Sequence, residues 1–434
     1  MAKTTFIATG DTFMTRRLPE GGYPGFGRIR DIIKQYDVRF NNLEFTCHDH
    51  EGYPAAFSGG TWAMVEPEIL DDLKAFGFNL YNTANNHSLD YSHGGLLATL
   101  KHMRERDMAA AGTGGNLYEA SAPVYLETAH ARVAMLGASS SFHDSDIAGN
   151  QSWNMSGRPG VNALRVSTTY HVEKKYLDML AEVVDKTGMN AAQMRSIQNG
   201  FAAPLPEHQL SFGGMSFVQA QENTIHTAPN AKDMARMQAQ IQEARRQADY
   251  VLVSIHSHQN AGGDPTQPAE FLVEFAHRCI DAGADAILGH GPHELRGIEI
   301  YKRKPIFYSL GNFIFQSDTV RYQPSEAFEN RNMPMDSMVG EMMDVRSQNG
   351  TRGYCVQENI WRSVMAGFTA EDGEITEIRL YPIDLHMGRK RSRIGWPDTP
   401  DNDAVLHYLA KLCEPYGTKL EIADGIATIH LKEG

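Results

Sequence analysis

The chain has 434 residues, enough for one large layered domain or for two of average size. Hydrophobic residues make up 41% and charged residues 21%, which excludes a disordered, collagen-like or coiled-coil chain. Lys+Arg 40 against Asp+Glu 53 leaves a formal charge of −13, so no net positive field draws in nucleic acid.

The four cysteines, Cys47, Cys279, Cys355 and Cys413, are scattered without a Cys-x-x-Cys pair, which points to reduced thiols. The apolar stretch at residues 5–9 is too short for a signal sequence, and no run approaches the ~20 apolar residues that span a bilayer. The expectation is a cytoplasmic protein without a membrane span.

In chain order, residues 5–9 read as a buried strand running into Gly10-Asp11, and residues 38–40 as a second running into Asn41-Asn42-Leu43-Glu44. Residues 67–76 read as a helix: proline opens it, Ile69, Leu70, Leu73 and Phe76 share one face, and Gly77 stops it. Residues 79–83 form a third strand, ending in Ala84-Asn85-Asn86-His87. From 167 to 250 the chain turns polar and rich in Met, Gln and Ala, and reads as a mostly helical insertion, with helices at 172–186 and 231–246. Strands at 251–255 and 284–288 then run into His256 and into Gly289-His290, with a helix at 268–282 between them. Alternation returns at 374–382, followed by a C-terminal extension over 385–434 made of a helix at 403–412 and a hairpin at 419–431. Strand–helix alternation on this scale indicates an α/β layered fold, here a single domain over 1–434 carrying one insertion.

Polar residues gather at the strand ends, the edge where open α/β sheets bind ligands. Asp11, Glu44, Asn86, His256, His290 and His293 are six such donors. Taken singly, each has a plain structural explanation, as a turn residue, a cap or a hydrogen-bonded core histidine. Together, carboxylate, amide and imidazole suit one or two divalent ions of Mn, Fe, Zn, Mg or Ca rather than a thiolate-bound metal.

The order Gly10-Asp11, Asn42-Leu43-Glu44, Asn85-Asn86-His87, Ser254-Ile255-His256 and Gly289-His290-Gly291-Pro292-His293 resembles the successive motifs of calcineurin-like metallophosphoesterases. It resembles more closely their CapA-type branch, of poly-γ-glutamate capsule synthesis. Asp90, Gly160-Val161-Asn162 and Ser309-Leu310-Gly311-Asn312-Phe313 carry the closer match, which runs from Thr5 to Asp384. The resemblance implies a four-layer α-β-β-α sandwich with a metal at the strand ends. In it Glu44 is the central carboxylate, Asn86 and His256 are ligands, His290 and His293 close the site, and His87 protonates a leaving group.

Three departures stand out. Asp11 is followed by Thr12-Phe13 where the phosphoesterase pattern has Asp-x-His, Glu44 stands where that pattern has Asp, and two residues rather than one separate His290 from His293. With one metal on Glu44, Asn86, His256 and a closing histidine, Asp11 and His293 are left as an acid/base pair. The resemblance implies a peptidic or γ-glutamyl substrate, with hydrolysis by metal-activated water and His87 as acid the leading expectation, and metal-assisted epimerisation at a peptide α-carbon by the Asp11/His293 pair the alternative. A non-catalytic role in capsule assembly is the third reading, and plain phosphoesterase activity the last. Arg16 and Arg17 are the candidate clamp for a free substrate carboxylate. His48, His50, His93 and His258 flank the motifs as possible partners of the ligands. Gly112-Thr113-Gly114-Gly115 lacks the Lys-Ser/Thr of a phosphate loop and reads as a plain loop, and the basic run 389–393 reads as solvated.

Overall fold

The first apolar run becomes the strand Thr4–Phe13, buried along nearly its whole length. The computed structural model describes residues 3–206 and 208–431, so residues 1–2, 207 and 432–434 of the expected domain, insertion and extension lie outside the described residues. Thr4–Phe13 pairs in parallel with Val38–Leu43 and, past Asp11, with Asn312–Phe315, while Arg362–Glu371 lies antiparallel on its other side. Leu80–Asn82 continues the parallel set beyond Val38–Leu43. These strands belong to a nine-stranded sheet. The C-terminal hairpin, Glu421–Ala423 and Ile426–His430, pairs with Glu374–Asp384 and extends that sheet at its edge.

A six-stranded sheet is built around Tyr250–His256, flanked in parallel by Arg132–Ser139 and Ala286–His290. Every residue of Tyr250–His256 and of Ala286–His290 is buried, which is why both read as continuous apolar runs rather than as alternation. The chain is thus mixed α/β with several sheets. One apolar core joins Phe6, Ala8 and Phe40 of the larger sheet to Met135, Leu252 and Leu288 of the smaller. A second collects Ile7, Phe13 and Leu43 with Ile29, Ile33, Ile69 and Leu73 of the helices Phe26–Ile33 and Glu68–Ala75. A third joins Leu136, Val253 and Ile287 to Phe271, Phe275 and Cys279 of the helix Glu270–Ala282.

The segment 167–250 departs from its polar, helical pattern. Besides the helices Lys174–Thr187 and Ala191–Gln198 it holds a four-stranded sheet of Gln209–Phe212, Met215–Ala220, Val166–Glu173 and Thr224–Pro229. Neither of those helices buries a residue, and the strands of this sheet are half-exposed, so they carry little of the alternation that marks a strand in sequence. The helix Ala231–Gln247 differs, because Met234, Met237, Ile241 and Ala244 join the core of the six-stranded sheet. Residues 318–361, which carry no periodic signal, fold into the helices Ser325–Glu329 and Val339–Ser347 and short 3-10 turns. All four cysteines are free thiols, and no helix among the described residues is long and apolar enough to cross a membrane.

Candidate metal centre

The parallel strands of both sheets end on one region. The strand carrying Asp11 does not stop at residue 9 but runs on to Phe13, with its register shifting between Ala8 and Thr12. Such a shift turns a side chain out of the strict alternation of a strand. Gly10 permits it: a Cβ there would sit 1.8 Å from the carbonyl oxygen of Gly311. Asp11 lies opposite Asn42 and Asn312, and Glu44 follows directly on Val38–Leu43. In the smaller sheet His256 lies opposite His290.

Asp11, His256 and His290 place ligand atoms within 4.8 Å of one another, as do Glu44, His256 and His258, and Asp11, Glu44 and His293. Asp11, Glu44, His256 and His290 are essentially inaccessible to solvent. The imidazole Nδ1 atoms of His256 and His290 lie 3.0 Å apart, and Nε2 of His256 lies 3.1 Å from Nε2 of His258. Burial lowers all these histidines below their ordinary pKa, His290 to about 3 and His293 to about 4, so the metal-free cluster presents neutral imidazoles.

The two carboxylates are treated differently. Asp11 Oδ1 accepts from Asn42 Nδ2 at 2.8 Å and Oδ2 from the N–H of Gly291 at 2.9 Å. Gly291 reaches that position with φ 120, a backbone conformation that favours glycine. Burial outweighs these bonds and pushes the Asp11 carboxyl up to about 7. Glu44 has no donor on either oxygen, and burial, then Asp11, raise it well above the carboxylate range. Asn86 Oδ1 is also buried without a partner, while its Nδ2 is tied to the carbonyl of Gly59 at 3.1 Å. Buried oxygens lacking donors beside neutral imidazoles form a donor set that could hold a metal ion, and these residues fit one.

His293 is held in the left-handed region, at φ 63. Asn312 gives its Nδ2 to the carbonyls of His293 and Ile360, so its Oδ1, 2.9 Å from His293 Nδ1, accepts from that nitrogen. This assigns the proton to Nδ1 and leaves Nε2, 3.9 Å from Glu44 Oε1, as the bare nitrogen. His87 is paired the same way, Nδ1 at 2.7 Å from Asp90 Oδ2, and its positive form would weigh on Asp11, His256, His258 and His293. Asp90 also accepts from the N–H groups of Gly59 and Ala63.

Arg16 and Arg17 are not among the residues brought together here. Arg16 donates to the carbonyls of Arg391 and Ile394 and lies 5.5 Å from the Trp396 ring, and Arg17 pairs with Asp72. Both line a basic cavity of about 530 Å³ with His386, Arg389, Lys390 and Arg393. His258 enters the cluster although the sequence reading set it among the neighbours. Its signal was the His256-Ser257-His258 spacing, since residues two apart share a face of an extended chain. Asn42 and Asn312 stood inside the quoted motifs, but the sequence assigned neither a role beside Asp11 or His293, because an asparagine beside a strand has many plainer uses.

Residues 5–317 match the family described as "Bacterial capsule synthesis protein PGA_cap". "Uncharacterized protein y4sH" of Sinorhizobium fredii (strain NBRC 101917 / NGR234) is 35% identical over 446 residues, covering 98% of this chain and 93% of the relative. "Capsule biosynthesis protein CapA" of Bacillus anthracis is 25% identical over 356 residues, 80% of this chain and 69% of its own. "PGA biosynthesis protein CapA" of Bacillus subtilis (strain 168) is 27% identical over 301 residues, 69% and 59% of the two chains.

Proposed function

Because the chain belongs to the bacterial capsule synthesis protein family PGA_cap, we propose that it is a metal-dependent hydrolase of amide bonds in a γ-glutamyl polymer or a peptide with a free carboxylate. The names of the two CapA relatives support the substrate class. The division of the apolar residues into one core shared by both sheets and two cores shared with helices supports a four-layer α-β-β-α sandwich.

In this reading Glu44, Asn86, His256 and one of His290 and His293 hold a divalent cation, with Asp11 and His258 available to a second. When bound, the cation supplies Lewis acidity, polarising a carbonyl and making water a better nucleophile. His87 moves the proton: Asp90 fixes Nδ1–H, and Nε2 protonates the departing amine. The His87–Asp90 pair beside the partnerless oxygens of Glu44 and Asn86 is the observation that carries the reading, since a purely structural metal site has no use for an oriented acid.

The test is incubation of the metal-loaded protein with tri-γ-glutamate in D2O. Cleavage without deuterium at the α-carbon is expected, and His87→Gln lowers kcat by about 10²–10⁴ with metal content unchanged. No turnover at full metal loading overturns the hydrolase and leaves a capsule-assembly role. One observation favours epimerisation as the second reading: protein donors satisfy both oxygens of Asp11 without any cation, and the neighbouring His293, 3.6 Å away at Nδ1, keeps its Nε2 bare. Deuterium at the α-carbon of an uncleaved peptide selects it.

A further inference from the structure

Three arginines near the centre have no part in the chemistry above. Arg331, Arg346 and Arg352 lie past residue 317, where the family match ends. All three line a cavity of about 900 Å³ whose wall includes Phe57, Ser58, Gly60 and Trp62. The same three line a second cavity of about 290 Å³ together with Tyr354.

Both cavities adjoin the metal centre. The Tyr354 ring lies 6.0 Å from the His293 ring and 5.0 Å from that of Phe315, and the guanidinium of Arg346 stands 6.0 Å from the Tyr354 centroid. Gly59, which joins the lining residues Ser58 and Gly60 of the larger cavity along the chain, holds the Asn86 amide on its carbonyl at 3.1 Å.

Among the described residues no carboxylate forms an ion pair with these arginines. Arg331 donates to the carbonyl of Ala327 at 2.7 Å, and Arg346 to the hydroxyl of Thr61. The acids on the cavity walls are Glu326 in the larger and Asp318 in the smaller. Burial and the neighbouring Arg346 both lower Arg331 below its ordinary pKa, as expected for like charges gathered without a counter-ion. In a chain with a formal charge of −13, such a group is completed by an anion, and guanidinium groups suit carboxylates.

We propose that Arg331, Arg346 and Arg352 grip the free carboxylates of a γ-linked glutamyl substrate and seat its scissile amide beside Tyr354 at the metal centre. The substrate class rests on the hydrolase reading. A γ-linked chain leaves a carboxylate on every residue, so several arginines are engaged at once, whereas a neutral peptide engages none.

The test is calorimetric binding of tri-γ-glutamate, and of the same peptide with its carboxylates amidated, to the metal-loaded protein. The free acid is expected to bind at least 10-fold more tightly, and Arg346→Gln and Arg352→Gln each to cut that advantage several-fold, with Arg346→Lys restoring part of it. Arg352 is exposed, so its replacement decides the matter even where Arg346→Gln fails to fold. Equal affinity for acid and amide, or an advantage untouched in Arg352→Gln, overturns the clamp. The two readings fail separately. A protein that binds the acid through these arginines and cleaves nothing loses the hydrolase and keeps the clamp, and one that cleaves acid and amide equally well does the reverse.

Discussion

Asp11 and Glu44 are both carboxylates with no solvent access, yet only Asp11 has hydrogen-bond donors. A buried carboxylate without a donor is costly, so a cation would relieve Glu44 in a way that Asp11 does not need. Glu44→Gln removes that charge while keeping the shape. Metal affinity in this variant is expected to fall by more than the ~10–100-fold typical of an outer-sphere change. The metal-free variant is expected to melt at or above the temperature of metal-free wild type. Metal titration and thermal melts check both, and undiminished affinity would remove Glu44 from the site. The same contrast between an oriented and a bare atom recurs at His293, where Asn312 takes one nitrogen, and at His87, where Asp90 does.

The strands that carry the clustered donors are backed by apolar packing some way from the cluster. The helix Glu270–Ala282 buries Phe271, Leu272, Phe275, Ala276, Cys279 and Ile280, as its helical spacing foretold. Phe275 is fully buried against the six-stranded sheet. Phe275→Ala is expected to cost about 3–5 kcal/mol in urea unfolding, with metal stoichiometry unchanged in the fraction that stays folded. Loss of metal without loss of stability would mean that this helix does more than support the sheet. The inserted segment illustrates the opposite case. Its four-stranded sheet is assembled from half-exposed polar strands, so neither a period of 2 nor one of 3.6 stands out in the sequence.

At the scale of the whole molecule, stability depends on groups that folding takes out of water. His48 is buried with neither ring nitrogen partnered, and burial pulls it from 6.5 down to about 4. Between those values the unfolded chain holds a proton that the folded chain refuses, so stability is present above pH 6.5 and is lost as pH falls toward 4. Urea midpoints across that window are expected to drop with acid in the wild type and to drop less in His48→Leu; parallel curves would rule His48 out. What the sequence determined by itself was the set of strand ends, the regular helices and the donor types, because burial of short apolar runs and helical spacing are local properties written at fixed periods. The family resemblance, read over Thr5 to Asp384 and matched by the family over residues 5–317, belongs there too, since motif order survives without coordinates. Tertiary structure decided what depends on pairs distant along the chain: that Asn42 satisfies Asp11 while Glu44 goes without, that His258 joins His256, and that Arg16 faces Trp396. It also brought the arginines of residues 318–361 beside the centre. Hydrogen-bond satisfaction and charge balance are properties of a filled volume, and one chain order is compatible with many of them.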